Sequence, residues 1–304
     1  MLLVAGWAPR ASAQDLAQGF AVERFSAPAA GGGWLTNDDL RLRGLGGALS
    51  IGFGYAKSPL RIADGSQRLA VVSDQAFADI GVAVTCERIR VYANFASPLA
   101  VLGHSGTVGA WRFAGPLVNL AENPDTITDV RLGIDARLFG GPDSPFRVGV
   151  GAQLFVPSGD RNDYVTDGTV RGMGRLLLAG DLGWFSWAGQ LGLHVRPLDD
   201  SPAPGSPRGS ELLFGLSAGA RIPAGAYQVI VGPELSGVTA LGALFTPAAT
   251  GVEGLLGARL ESTGDEGPQL RVKLAVGAGL APSFGVPEWR VVLGAELFGH
   301  VRRP

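Results

Sequence analysis

Asp129-Val-Arg-Leu-Gly-Ile-Asp-Ala-Arg-Leu138 is followed by Phe139-Gly-Gly-Pro-Asp-Ser-Pro145 and then by Phe146-Arg-Val-Gly-Val-Gly-Ala-Gln-Leu-Phe-Val-Pro157. In the first arm Asp129, Arg131, Gly133, Asp135 and Arg137 alternate with Val130, Leu132, Ile134, Ala136 and Leu138. A period of two marks a strand with two unlike faces. The second arm repeats it, with Arg147, Gly149, Gly151 and Gln153 against Val148, Val150, Ala152 and Leu154. Gly-Pro-Asp-Ser-Pro between the arms is turn chemistry. A soluble sandwich can carry one such hairpin. The decision rests on how often the pattern recurs, and on an apolar face that stays free of charge each time.

Outward from this hairpin, the pattern predicts strands from Leu45 to about 57, and over 76–84, 88–96, 129–138, 146–157, 169–180 and 184–196. It recurs over 211–222, 226–238, 251–262, 268–280 and 287–299. The last segment sets Glu288, Arg290 and Glu296 against Trp289, Val291, Leu293 and Leu297. Twelve strands of ten residues or slightly more are long enough to cross a bilayer when tilted. An even count, with long connections alternating with short ones, is the form of a single-chain outer-membrane barrel. The stretch 97–123, with Pro98, Pro116 and several glycines, reads as a long loop. Residues 94–111 carry no charge, but Asn94, Pro98 and His104 argue against a membrane helix.

The composition agrees. The 304 residues are 46% hydrophobic and 17% charged, with mean hydropathy +0.22. About 25% charge is usual. Spreading the apolar residues by alternation raises hydropathy without creating a helical span. The net charge of −2 gives no basic footprint for nucleic acid. Cys86 is the one cysteine, which rules out an internal disulfide. His104, His194 and His300 lack ligand spacing, so no metal and no cofactor are expected. The adjacent His104 and Ser105 lack a nucleophile-elbow context, and no catalytic residue is assigned.

Facing the apolar side is a predicted lumen network: Asp129, Arg131, Asp135, Arg137, Arg147, Arg171, Arg175, Glu211, Glu234, Glu253, Arg271, Arg290 and Glu296. Its balanced signs suggest a cross-braced interior with weak ion selectivity. Glycines at 133, 149, 151, 192, 215, 219, 257, 277 and 279 are expected to leave space in it. Trp184, Trp187, Trp289 and Tyr227 lie near strand ends, where an aromatic girdle belongs.

The ends divide differently. Residues 1–13 resemble the remainder of a signal peptide without its basic start, with Ala11-Ser-Ala13 fitting a cleavage site and the mature chain starting near Gln14. Residues 14–43 form a periplasmic lead-in or plug, 44–300 the barrel, and 301–304 the start of a linker. Truncation of a longer gene product would account for both ends.

Six stretches carry a family resemblance: Phe20-Ala-Val-Glu-Arg-Phe25, Asp129-Val-Arg-Leu-Gly133, Phe155-Val-Pro-Ser-Gly-Asp160, Asp167-Gly-Thr-Val-Arg171, Gly232-Pro-Glu-Leu235 and Phe284-Gly-Val-Pro-Glu-Trp-Arg290. In order and spacing they resemble the N-terminal barrel of multi-domain OmpA-family outer-membrane proteins. That resemblance implies an all-β, antiparallel, up-and-down transmembrane β-barrel in a bacterial outer membrane. It further implies an anchor or narrow porin-like channel for small solutes, with outer-membrane lipid and the barrel assembly machinery as partners. Family members continue into a peptidoglycan-binding domain. This sequence stops at Val301-Arg-Arg-Pro304, so peptidoglycan would be reached only through a domain downstream. The alternative from a different class is a soluble β-sandwich or β-barrel that binds a ligand or partner.

Overall fold

The computed structural model describes residues 15–198, 209–264 and 267–301. The signal-like residues 1–13, part of the loop after 197 and the last three residues lie outside the described residues. Twelve antiparallel strands form the wall: β1 (Leu45–Asp64), β2 (Gln67–Cys86), β3 (Ile89–Leu102), β4 (Val130–Phe139), β5 (Arg147–Val156) and β6 (Arg171–Leu182), then β7 (Phe185–Val195), β8 (Glu211–Ala224), β9 (Tyr227–Ala240), β10 (Thr250–Ser262), β11 (Gln269–Ala281) and β12 (Trp289–Val301). Each pairs with the next in sequence, and β12 returns to β1 with Leu293 opposite Phe53. That last pairing closes the barrel and removes the sheet edge.

Alternation determines what each face meets. On β12 the outward Val291, Leu293 and Leu297 are exposed, while the inward Arg290 and Glu296 are buried. On β4, Leu132 and Ile134 lie outside, and Arg131 and Asp135 inside. Large exposed apolar side chains recur on every wall strand, forming a continuous belt. Tyr55 and Trp289 pair at one rim with ring centroids 5.0 Å apart; Phe146 and Trp187 stack at 5.9 Å near the other. An apolar belt between aromatic rims is covered by lipid, not water. The chain is an integral β-barrel of the bacterial outer membrane. No helix among the described residues is long and apolar enough to cross a membrane; strands make the crossing here.

Connections are unequal at the two ends. Gly183 (φ 63°) and Gly225 (φ 67°) open two-residue turns, a conformation glycine adopts without strain. The end carrying these short connections is the turn end, and the opposite rim is the loop end.

Two elements extend beyond the sequence expectation. The strand predicted to stop near 57 continues to Asp64, and its partner begins at Gln67. Twenty residues make roughly 60 Å of extended chain, well beyond an apolar belt about 25 Å tall. The surplus projects as a hairpin at the loop end. It forms despite Ser58 (φ 51°) and Pro59 because the ladder shifts register between Lys57 and Leu60 and then resumes. Likewise β3 runs to Leu102 through Pro98, absorbed by a register shift opposite Ala76 and Phe77. The rest of the predicted loop contains short strands at Gly106–Val108, Trp111–Phe113 and Leu117–Asn119.

The occupied lumen as candidate functional site

Residues 15–43 run through the barrel from the loop end to the turn end. Asp15–Leu16 pairs in parallel with Trp111 and Arg112, and the Ala17 amide donates to the Arg112 carbonyl at 2.9 Å. Phe20 packs edge-on against Tyr164 and Phe284, with centroids 6.2 and 5.7 Å away. Around it Val22, Leu60, Ile62, Val71, Val72, Phe113 and Val165 form one buried apolar cluster. The surplus hairpin thus supplies half of a cap over the loop-end mouth. These contacts extend well past the periplasmic mouth to which the sequence assigns a lead-in.

Below the cap the contacts become polar. The Ala21 amide donates to Asp167 at 2.9 Å, and Arg24 pairs with Glu211 at 3.0 Å. Glu23 pairs with Arg290 at 2.9 Å, and Phe25 lies under the Arg290 guanidinium at 5.1 Å. Arg131 donates to the Ser26 hydroxyl. The Leu35 and Thr36 amides both donate to the Glu234 carboxylate, at 3.0 and 2.8 Å. Asn37 donates to Ser217 at 2.8 Å. At the turn end Asp38 pairs with Arg90, and Arg41 with Asp181 at 2.8 Å. Arg137 donates to the Leu40 and Leu42 carbonyls at 3.2 and 2.8 Å. A chain in a lumen must find partners for its own amides and carbonyls; the wall supplies many of them, and turns within the segment, such as the Asp39 amide to the Gly32 carbonyl at 2.8 Å, supply others.

All thirteen charged residues read from the alternation are buried on the inner side. Several meet each other or a neighbouring strand directly: Arg171 with Asp129 at 2.6 Å, Arg175 with Asp135 at 2.9 Å, Arg290 with Glu253 at 2.7 Å, and Arg271 with Glu296 at 2.7 Å. Others are held by the lumenal segment, notably Glu234, Arg131 and Arg137. Arg147 does both, meeting Asp181 at 2.8 Å and the Asp39 carbonyl at 2.8 Å. The network read from the sequence lacks Arg90, Asp167 and Asp181; Arg196, Arg259 and Glu261 stand on the polar face of the predicted strands 184–196 and 251–262 but are not named in it. Arg90 was legible as the inward residue between Ile89 and Val91. Asp167 sits just outside the strands, where alternation gives no signal.

Asp167 ties the loop-end charges together. It accepts from Arg196 at 2.7 and 2.8 Å and lies 3.6 Å from Arg171. Burial pushes its carboxyl up, but the Arg196, Arg171 and Arg24 guanidiniums outweigh burial and hold it at about 2.

The lumen glycines do not leave the expected space. A Cβ on Gly133 would lie 2.2 Å from the Tyr92 ring, and one on Gly149 would lie 2.9 Å from Leu40. Gly219 makes room for Trp34 at 3.0 Å, and Gly257 for Leu35 at 3.4 Å. Most of the lumen is therefore filled, with these inward glycines each facing a large neighbour. Open space remains on one side, beside Gly52, Gly54 and Gly294, in a cavity of about 260 Å³ bounded by the segment from Glu23 to Pro28. Within 4 Å of a Cβ on Gly54 there is nothing.

No protein-family model matches this sequence, and no curated relative does. Solved structures do. The chain is similar to the COG4313 outer membrane channel from Pseudomonas putida F1, at 12% identity and TM-score 0.54, covering 86% of this chain and 97% of that one. It also aligns with a bacterial polysaccharide outer membrane secretin (9% identity, TM-score 0.42, 84% and 98% covered). A third alignment is with the CymD monoaromatic hydrocarbon channel (10% identity, TM-score 0.40, 86% and 90% covered). At these identities the first likeness concerns the fold alone; the other two are too distant to add to it.

Proposed function

We propose that the protein is a narrow outer-membrane channel for small solutes, closed at rest by its own residues 17–42. The observation that carries this reading is the manner in which the lumen is filled. A barrel that served only as an anchor could fill its interior with wall side chains, as eight-stranded barrels do. Here a wider barrel is filled by one irregular segment, folded back on itself between Gly33 and Asp38, tethered at Gly44 and held by separable hydrogen bonds and ion pairs. Such a segment can leave without unfolding the wall, because the twelve-strand ladder closes independently of it.

The OmpA-like reading supplies the second function, a structural anchor. It is supported by the motifs quoted above and by ion pairs that tie one part of the wall to another, such as Arg171 on β6 with Asp129 beside β4, across the intervening β5. Planar-bilayer recording separates the two. The intact chain should pass a small or intermittent current, and deletion of residues 15–40 should raise it several-fold. An unchanged small current after deletion would favour the anchor.

A further inference from the structure

We infer that the turn-end half of the wall is a carboxylate-binding constriction, and that Asp38 and Asp39 of the lumenal segment occupy it in place of a solute. This inference rests on the channel reading above. Arg90 reaches Asp38. Arg259 and Arg271 lie 3.9 and 4.0 Å from the Asp39 carboxylate, and Arg147 donates to the Asp39 carbonyl at 2.8 Å. All four guanidiniums are almost wholly buried.

The wall does not neutralise these cations by itself. Asp135 serves Arg90 but is shared with Arg175, at 2.7 and 2.9 Å. Glu296 serves Arg271 but is shared with Lys273, at 2.7 and 2.6 Å. Asp181 serves Arg147 and Glu261 serves Arg271, each at 2.8 Å, and both are shared with Arg41 of the segment. Arg259 is the most exposed to this shortage of partners. None of its three guanidinium nitrogens has a hydrogen-bond partner among the described residues. It lies over the Trp34 ring at 4.7 Å and approaches Glu261 only to 3.6 Å. The Asp39 Oδ2 beside it is also unpartnered.

A buried guanidinium with five donors and no acceptor carries a full desolvation cost. A small carboxylate offers the planar, bidentate acceptor that would satisfy it. The two aspartates approach the site but are set by their own backbone: Asp38 and Asp39 each also accept from the amide two residues on, at 2.8 and 3.1 Å. They therefore close the constriction without saturating it. When residues 15–40 are removed, Asp38 and Asp39 go while Arg41 stays on Asp181 and Glu261, and this level is net positive. Glu234, which then loses the Leu35 and Thr36 amides, opposes this and keeps the preference moderate.

The test uses the chain lacking residues 15–40 in planar bilayers, first in a potassium chloride gradient and then with succinate. The expected reversal potential favours chloride over potassium by about threefold, as a ring of fixed cations does. Succinate should reduce the chloride current, and Arg259→Gln should weaken that block about tenfold, the size of one lost charge-assisted hydrogen bond. Arg259 makes no hydrogen bond, and Glu261 beside it keeps Arg271 at 2.8 Å and Arg41 at 3.2 Å, so the barrel should still assemble. A large current that prefers potassium, or shows no preference, would overturn the carboxylate site while leaving the channel intact. A block by succinate that Arg259→Gln does not change would also overturn it. No rise in current on deletion would instead overturn the channel reading, and the inference with it.

Discussion

The two faces of the same strands are built to different rules. On β12 the outward series Trp289, Val291, Leu293, Leu297 needs only to be apolar, because lipid accepts any such side chain. The inward series is specific: Arg290 meets both Glu253 and Glu23, and Glu296 meets both Arg271 and Lys273. A buried ion is tolerable only when its partner is present. The outer face therefore specifies an environment, and the inner face specifies an occupant.

Breaking the outer face should give the largest effect. Ile134→Arg, Leu191→Arg and Leu293→Arg each place a cation in lipid toward the middle of a strand, which costs roughly 2–4 kcal/mol at the midplane. Each should abolish the heat-modifiable band on a gel of membrane extracts. Inward changes divide by local space. Gly54→Ser, which meets open cavity, should assemble normally, whereas Gly133→Arg should fail because Tyr92 occupies the position. Equal damage at Gly54 and Ile134 would contradict the two-face account.

A smaller effect sharpens the account of the inner face. Changing Asp38 and Asp39 together to Asn leaves Arg90 with only its Asp135 contact and removes the carboxylate beside Arg259 and Arg271. Breaking one partner of a buried pair costs about 3–5 kcal/mol. Here the wall keeps other carboxylates, so the cost should fall on the segment alone. Single-channel records should show more frequent openings with an unchanged melting temperature. A collapse of the barrel instead would mean that segment and wall fold as one unit.

The smallest effect is acid release at the loop end. The Asp167 carboxyl is held at about 2 against an ordinary value of 3.8, so it stabilises the folded form above pH 4. That contribution is lost as pH falls through about 2. Between those values the clasp of Asp167 on Arg196 and the Ala21 amide should loosen, whereas the apolar cluster around Phe20 should not respond. Hydrogen-exchange protection of the Ala21 amide, followed across this window, should fall in the intact protein and stay flat in Asp167→Asn.

The twelve strands were legible because lipid imposes alternation on every one of them. Where that constraint ends, the sequence is harder to read. The hairpin beyond Lys57 leaves the lipid, and Ser58 with Pro59 resembles a stop until the register shift is seen. The lumenal segment has no period, because an irregular chain held by charges and turns needs partners and not a pattern. Its groups Glu23, Arg24, Asp38, Asp39 and Arg41 become meaningful only against the wall. The glycines were visible, but Gly133 and Gly219 accommodate Tyr92 and Trp34, residues distant in sequence.

The central claim is that the strand in the lumen is the gate, and a reversible cross-link tests it most directly. Asn37 and Ser217 touch at 2.8 Å, so Asn37→Cys with Ser217→Cys, made in a Cys86→Ser background, should fix the strand to β8 on oxidation. The oxidised protein should pass almost no current, and reduction in the same bilayer should restore intermittent opening. A large, steady current from the oxidised protein, or the same current before and after reduction, would show that the strand does not control the lumen.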